Sequence, residues 1–256
     1  MEVVMAFSTG ARINTNISAY NALNALTNVN RDLSIHQLRL STGKKINSAS
    51  DDASGYVISK KMEGRVKSLQ AAKDNVGDAQ STLGVAEGGY QTIADLLTQI
   101  KQDQTRANNG AFGADEKAAI ASEVNQLMTE IGDINSQTKF NGTALFSSYS
   151  QDFQVGEAST ETMTIAFGTA TDAKTLLGVD AGSVTSANIG DLTVDSALVS
   201  VNAAIGDIGA QENRLTTKEA NLNTAITNTQ AAQSRIMDAD VASEQIASVK
   251  DQILQQ

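Results

Sequence analysis

The 256-residue chain contains no proline, where about a dozen would be usual for its length. Proline breaks a helix interior, so its absence removes the commonest obstacle to long uninterrupted helices. Cysteine is also absent, which excludes disulfides, thiolate metal ligands and cysteine nucleophiles. There is no tryptophan and aromatics make up only 4%, so the chain has little of the bulk that compact cores use. Ala, Ser, Thr, Asn and Gln fill the space instead, as in long, narrow helical assemblies. A single histidine, His36, rules out a two-His metal site within one chain. It sits among Ile35, Gln37 and Leu38 on a helical stretch and reads as a surface or packing residue. Basic excess is missing too. A net charge of −10 provides no stripe for nucleic-acid phosphates and disfavours anionic membrane surfaces. No apolar run approaches the roughly 20 residues of a membrane span. The opening "MEVVMAFSTGARIN" carries an acid at Glu2 and only a short apolar run. It does not read as a secretory signal, which leaves export by another route.

What is present is heptad spacing. Met62, Val66, Leu69, Ala72, Val76, Ala79, Leu83, Ala86, Tyr90, Ile93, Leu97 and Ile100 recur at threes and fours, an apolar seam sustained over six heptads. A helix carrying it would run roughly 60–70 Å and needs partners along its length. Ile120, Val124, Leu127, Ile131 and Ile134 repeat the pattern behind Asp115 and Glu116, acids suited to a first helical turn. Val201, Ile208, Leu215 and Leu222 lie in step by seven, and so do Leu26, Leu33 and Leu40. The spacing predicts helices over about 15–41, 57–107, 114–135 and 195–255. Between the third and fourth, Asn141-Gly142 marks a hairpin turn, because both residues tolerate positive φ. "DFQV" and "TMTIAF" alternate apolar and polar residues around a "GEASTE" loop, and 178–195 is small, polar and weakly patterned. The fold class expected is mainly α: a long antiparallel helical bundle or coiled-coil rod with a small β-hairpin region and no large outer domains.

Chemistry finds little purchase. Asp51-Asp52 could serve acid–base catalysis, but no His or further acid follows at ligand spacing, and "SASDDAS" suits helix capping better. Asp238 and Asp240 diverge on a helix and suit a joint or cap in the same way. Gly84, Gly88 and Gly89 interrupt a heptad helix rather than follow a strand, so they form no phosphate loop. No enzyme, cofactor or metal is expected.

Five stretches resemble the bacterial flagellins. "INTN" at 13–16 is similar to the family's opening motif, and "LSTGKKINSASDDASGYVIS" at 40–59 to its most distinctive N-terminal segment. "QTKFNG" at 137–142, "GAQENRL" at 209–215 and "SRIMDADVASEQIASVKDQILQQ" at 234–256 follow in family order. The resemblance implies a structural subunit of the flagellar filament, secreted to an extracellular flagellum, that self-assembles through its terminal helices. The alternative within the family is a homologue at the hook–filament junction or a surface adhesin. The implied layout is an inner coiled coil (1–42 with 244–256), a spoke (43–55 with 237–243), a helical rod (56–140 with 190–236) and a hairpin tip (141–189). Self-assembly would rest on Leu26, Leu33, Leu40, Ile246, Val249 and Ile253. The spoke would use Gly43, Asn47, Asp51, Asp52, Gly55, Asp238 and Asp240, with positive φ expected at Gly43 or Gly55. Implied partners are other subunits, filament cap and hook-junction proteins, and an export chaperone, with no nucleic acid and no membrane insertion.

Leu96, Gln99 and Glu123 match the family's contacts with an innate Toll-like receptor. Thr92, however, stands where activating flagellins place arginine, so that recognition should be weak. Three departures from the family pattern are noted. Only about 25 residues separate the hairpin from the last helix, so outer domains are absent. Extra residues precede "INTN", making Met5 a candidate family start. The chain stops at "QILQQ", where flagellins usually continue, which leads to the expectation of a longer native protein.

Overall fold

The computed structural model describes residues 16–167 and 172–256; the start of the opening motif, Ile13–Thr15, lies outside the described residues. Helix α1 spans Ile17–Thr42, α2 Ala53–Ala107 and α3 Ala114–Gln137. Short strands β1 (Lys139–Phe140), β2 (Thr143–Ala144), β3 (Ser150–Gln154) and β4 (Thr162–Ala166) follow. Then come a one-turn helix α4 (Ala173–Leu177), a 3₁₀ turn at Ile189–Asp191, and helices α5 (Val194–Met237) and α6 (Val241–Gln255). The chain divides into two compact units, 67–226 and 1–66 with 227–256.

In the 67–226 unit the heptad seam becomes the core. Leu69, Val76, Leu83, Tyr90 and Leu97 on α2 are buried together with Ile120, Val124 and Ile131 on α3 and Val201, Ile208, Leu215 and Leu222 on α5. Ion pairs Lys73–Glu219 and Lys101–Asp195 fix α2 and α5 as antiparallel neighbours. The α2 helix tolerates its many hydroxyl residues because they bond back to the carbonyl one turn earlier. Thr82 to Asp78, Thr92 to Gly88, Thr98 to Ala94 and Thr105 to Lys101 all do so.

Asn141 (φ 48°) and Gly142 (φ 80°) both occupy the left-handed region and pair Phe140 with Thr143 as the dipeptide predicted. "TALF" is strand only at Thr143–Ala144, because Leu145 and Phe146 turn into the core, where Phe146 meets Tyr90 at 4.5 Å between ring centroids. β3 and β4 pair antiparallel from Ser150↔Ala166 to Gln154↔Thr162. Met163 and Ile165 face inward, as the alternation required.

Two expectations are corrected, and one segment left without a structural reading is described. The 195–255 segment is two helices, broken at Asp238–Asp240, because the aspartates start a new helix where hydrophobic spacing runs on. The second helix begins at Ala53 rather than 57, since Asp52 caps it earlier. The weakly patterned 178–195 stretch, with α4 before it, is firmly packed, with Val184, Ile189, Leu192 and Val194 buried. Side chains from distant helices hold it. Asn125 bonds Gly182 and Val184, and Gln104 donates to the carbonyls of Gly190 and Leu192.

Candidate functional site

The site is the joint and terminal helix pair of the unit formed by 1–66 and 227–256. Gly43 ends α1 in the left-handed region (φ 67°), with its N–H bonded to the Arg39 carbonyl. The two returning segments are then tied to one another. Lys45 N–H donates to Met237 O (2.6 Å), Ala239 N–H donates to Gly43 O (2.9 Å), and Lys44 bridges Asp238 antiparallel. Asn47 donates from its side chain to the Lys44 carbonyl.

Asp51 Oδ2 accepts from the backbone N–H groups of Ser48 (2.8 Å) and Asn47 (2.9 Å) and from the Ser48 hydroxyl. These backbone bonds, Ser48's first, hold its carboxyl below the usual carboxylate range. Asp52 Oδ1 caps α2 through Ser54 and Gly55 N–H, both at 3.0 Å. Asp240 caps α6 through Ala242 and Ser243, and Asp238 accepts from the Ser234 hydroxyl.

Of the seven residues expected at the spoke, Gly43 and Asp238 take part in the crossing itself, and Asn47 and Asp51 brace the turn beside it. Asp52, with Gly55 among its donors, and Asp240 cap the helices that leave it. Gly55 is needed for a different reason than expected. Its φ is ordinary, but an added Cβ would stand 2.5 Å from the Asp52 carboxylate and 2.7 Å from the buried Ile46 side chain.

Helices α1 and α6 run antiparallel. Glu244 meets His36 Nδ1 and Arg39 (3.2 Å), Asp251 lies 3.7 Å from His36 Nε2, and Gln255 donates to Asn30 at 2.7 Å. The face of α6 toward α1 is thus polar: Glu244, Ser248, Asp251 and Gln255, spaced by four, three and four. Ser248 and Leu33 are buried in it. At 100° per residue, Ile246, Val249 and Ile253 fall on the opposite side of α6. They are 71%, 42% and 68% exposed.

Of the other residues expected in assembly, Leu33 is already covered within the chain, Leu40 is half-buried, and Leu26 is exposed. Ile17, Tyr20 and Leu23 are exposed on the part of α1 N-terminal to Asn30, where the contact with Gln255 falls. The polar seam residues Asn30, His36, Arg39, Glu244, Ser248 and Asp251 escaped the sequence reading. The four–three–four repeat of polar residues in α6 was their signal. Of the residues matched to receptor contact, Leu96 is half-buried against the core, while Gln99, Glu123 and Thr92 are exposed on α2 and α3.

Among the described residues no cluster of three or more His, Cys, Asp or Glu could hold a metal, and no helix is long and apolar enough to cross a membrane.

Comparison with known proteins finds one family. A family model described as the bacterial flagellin N-terminal helical region matches residues 13–151, and one for the C-terminal helical region matches 192–256. The flagellar filament 33 kDa core protein of Treponema phagedenis is 34% identical over 265 residues, covering 95% of this chain and 92% of that protein. Flagellin of Bacillus subtilis is 31% identical, covering 96% of this chain and 93% of its own length. The crystal structure of Bacillus cereus flagellin aligns with a TM-score of 0.49 and 27% identity over 62% of this chain and 94% of that one.

Proposed function

The chain belongs to the bacterial flagellins, structural and non-enzymatic subunits that polymerise into the flagellar filament, and from that premise we propose how its terminal helices divide the work of assembly. The polar face of α6 binds the chain's own α1 and sets the register of the pair. The apolar stripe Ile246, Val249 and Ile253, with Leu26 and the exposed front of α1, packs against neighbouring subunits. The observation that carries this reading is the placement of the two faces on opposite sides of α6. Exposed apolar surface of this extent on a lone chain calls for a partner, and burying it drives association. The crossing at Gly43–Gly55 and Met237–Asp240 then acts as the joint.

The absence of cysteine makes the test clean, because one introduced cysteine takes a spin label at a single place. A label at Ile253→Cys should be mobile in the monomer and immobilised in the filament. A label that stays mobile after polymerisation would remove the stripe from the interface.

Cap and hook-junction proteins and an export chaperone are proposed as further partners. Toll-like receptor recognition is proposed to be weak. Thr92 cannot supply the charge-assisted hydrogen bond of an arginine, worth about 1.5–3 kcal/mol. Potent reporter-cell signalling by protein free of other ligands would contradict this.

A further inference from the structure

The sequence holds two Asn-Gly dipeptides, Asn109-Gly110 and Asn141-Gly142, which look chemically alike. Asparagine followed by glycine is prone to spontaneous deamidation, since no side chain at the next residue hinders attack by its backbone nitrogen. Both dipeptides are solvent-exposed, and neither glycine has any atom within 4 Å of where a Cβ would stand.

The fold separates them. The Asn109 carboxamide oxygen accepts the Ala111 N–H at 3.0 Å, its own N–H donates to Arg106 O, and its carbonyl accepts from Phe112. Turning that carboxamide onto Gly110 breaks an Asx turn between two helices. No hydrogen bond holds the Asn141 carboxamide among the described residues. Its turn is closed by strands of two residues each and one flanking bond, Leu145 N–H to the Thr138 carbonyl at 3.0 Å. So short a two-stranded ribbon opens at its turn end more readily than an element within a helix. Opening is required, because Asn141 must leave its left-handed conformation before Gly142 N can reach the side-chain carbon.

We propose that Asn141 is a site of spontaneous covalent modification, deamidating ahead of Asn109 in the folded chain. Hydroxide takes the Gly142 amide proton, and the nitrogen attacks Asn141 Cγ. A C–N bond forms while the Cγ–NH₂ bond breaks, and ammonia leaves with a proton from water. The resulting succinimide adds water at one of its two carbonyls. Opening at one gives aspartate, which still tolerates the left-handed turn and adds one negative charge to the −10 of the chain. Opening at the other gives isoaspartate, whose extra backbone carbon cannot keep Phe140 opposite Thr143. That product loosens the hairpin just before Leu145 and Phe146, the residues that turn into the core.

The test is a time course of the full chain at mildly alkaline pH, native and in denaturant. Peptide mapping reads the gain of one mass unit at each site, and an isoaspartyl methyltransferase assay reads the rearranged product. In denaturant the two sites should react at similar rates. In the native chain Asn141 should lead Asn109 severalfold and accumulate isoaspartate. Equal native rates, Asn109 leading, or an Asn141 that stays intact while the denatured sample reacts would each overturn the proposal.

Discussion

Replacing Ile246 and Ile253 by serine separates the cost to the chain from the cost to the polymer. In the single chain the two side chains are 71% and 68% exposed, so each has about 0.5–1 kcal/mol of burial to lose there. If neighbouring subunits cover the remainder, each substitution removes about 1–2 kcal/mol more from every subunit contact. At tenfold per 1.4 kcal/mol, that raises the critical concentration for polymerisation about 5- to 30-fold per site. The two sites lie seven residues apart on one stripe, and the double variant should be close to multiplicative. Seeded assembly followed by light scattering, with sedimentation of the unassembled fraction, measures this directly. Circular dichroism should show the monomer helicity nearly unchanged. An unchanged critical concentration, or a monomer whose terminal helices melt, would refute the reasoning. The first result would mean that the stripe is not covered, the second that it is covered within the chain.

At the joint, Gly55→Val forces a side chain into the Asp52 cap and Ile46, at a cost of about 1–3 kcal/mol. Gly43→Val places a β-branched residue at φ 67°, at about 1–2 kcal/mol. Hydrogen exchange should speed up at 43–58 in both variants and stay unchanged across 67–226; spread into that unit would contradict the joint. The lowered pKa of Asp51 sets a pH dependence. Its bonds to Asn47 and Ser48 stabilise the folded joint above the ordinary aspartate value of 3.8, and that contribution is lost as pH falls below it through the folded value. Faster exchange of the Ser48 and Asn47 amides on that acid limb, absent in Asp51→Asn, checks the sign. In the core, Gly89→Val meets the Phe146 ring at 2.7 Å and should lower Tm. Gly84→Ala, in open space on the same helix, should stabilise by about 0.5–1 kcal/mol; scanning calorimetry reads both.

The α2 seam was legible because ten of its residues, from Leu69 to Ile100, keep strict three–four spacing and all became buried. The Asn141-Gly142 turn was legible because few residues accept two successive positive φ values. The structure between 172 and 193 was not, because its order comes from Asn125 and Gln104, side chains more than fifty residues away in sequence. Hydrophobic spacing ran on through Asp238–Asp240, because three non-helical residues scarcely disturb it, whereas the two aspartates themselves suited a joint or cap there. At the terminal pair, the family resemblance implied an inner coiled coil and gave Leu26, Leu33, Leu40, Ile246, Val249 and Ile253 to self-assembly, without saying what would join α1 to α6. The chain joins them through His36, Arg39, Glu244 and Ser248 and leaves the α6 stripe outward. Periodicity alone identifies an apolar face but not which neighbour covers it.

Electron cryomicroscopy of filaments grown from this chain, at a resolution that shows side chains, tests the division of labour on α6 most directly. The account predicts Glu244, Ser248 and Asp251 against the subunit's own α1, with Ile246, Val249 and Ile253 packed between helices of adjacent subunits. Finding the apolar stripe on the subunit's own α1, or bare to solvent in the finished filament, would contradict it.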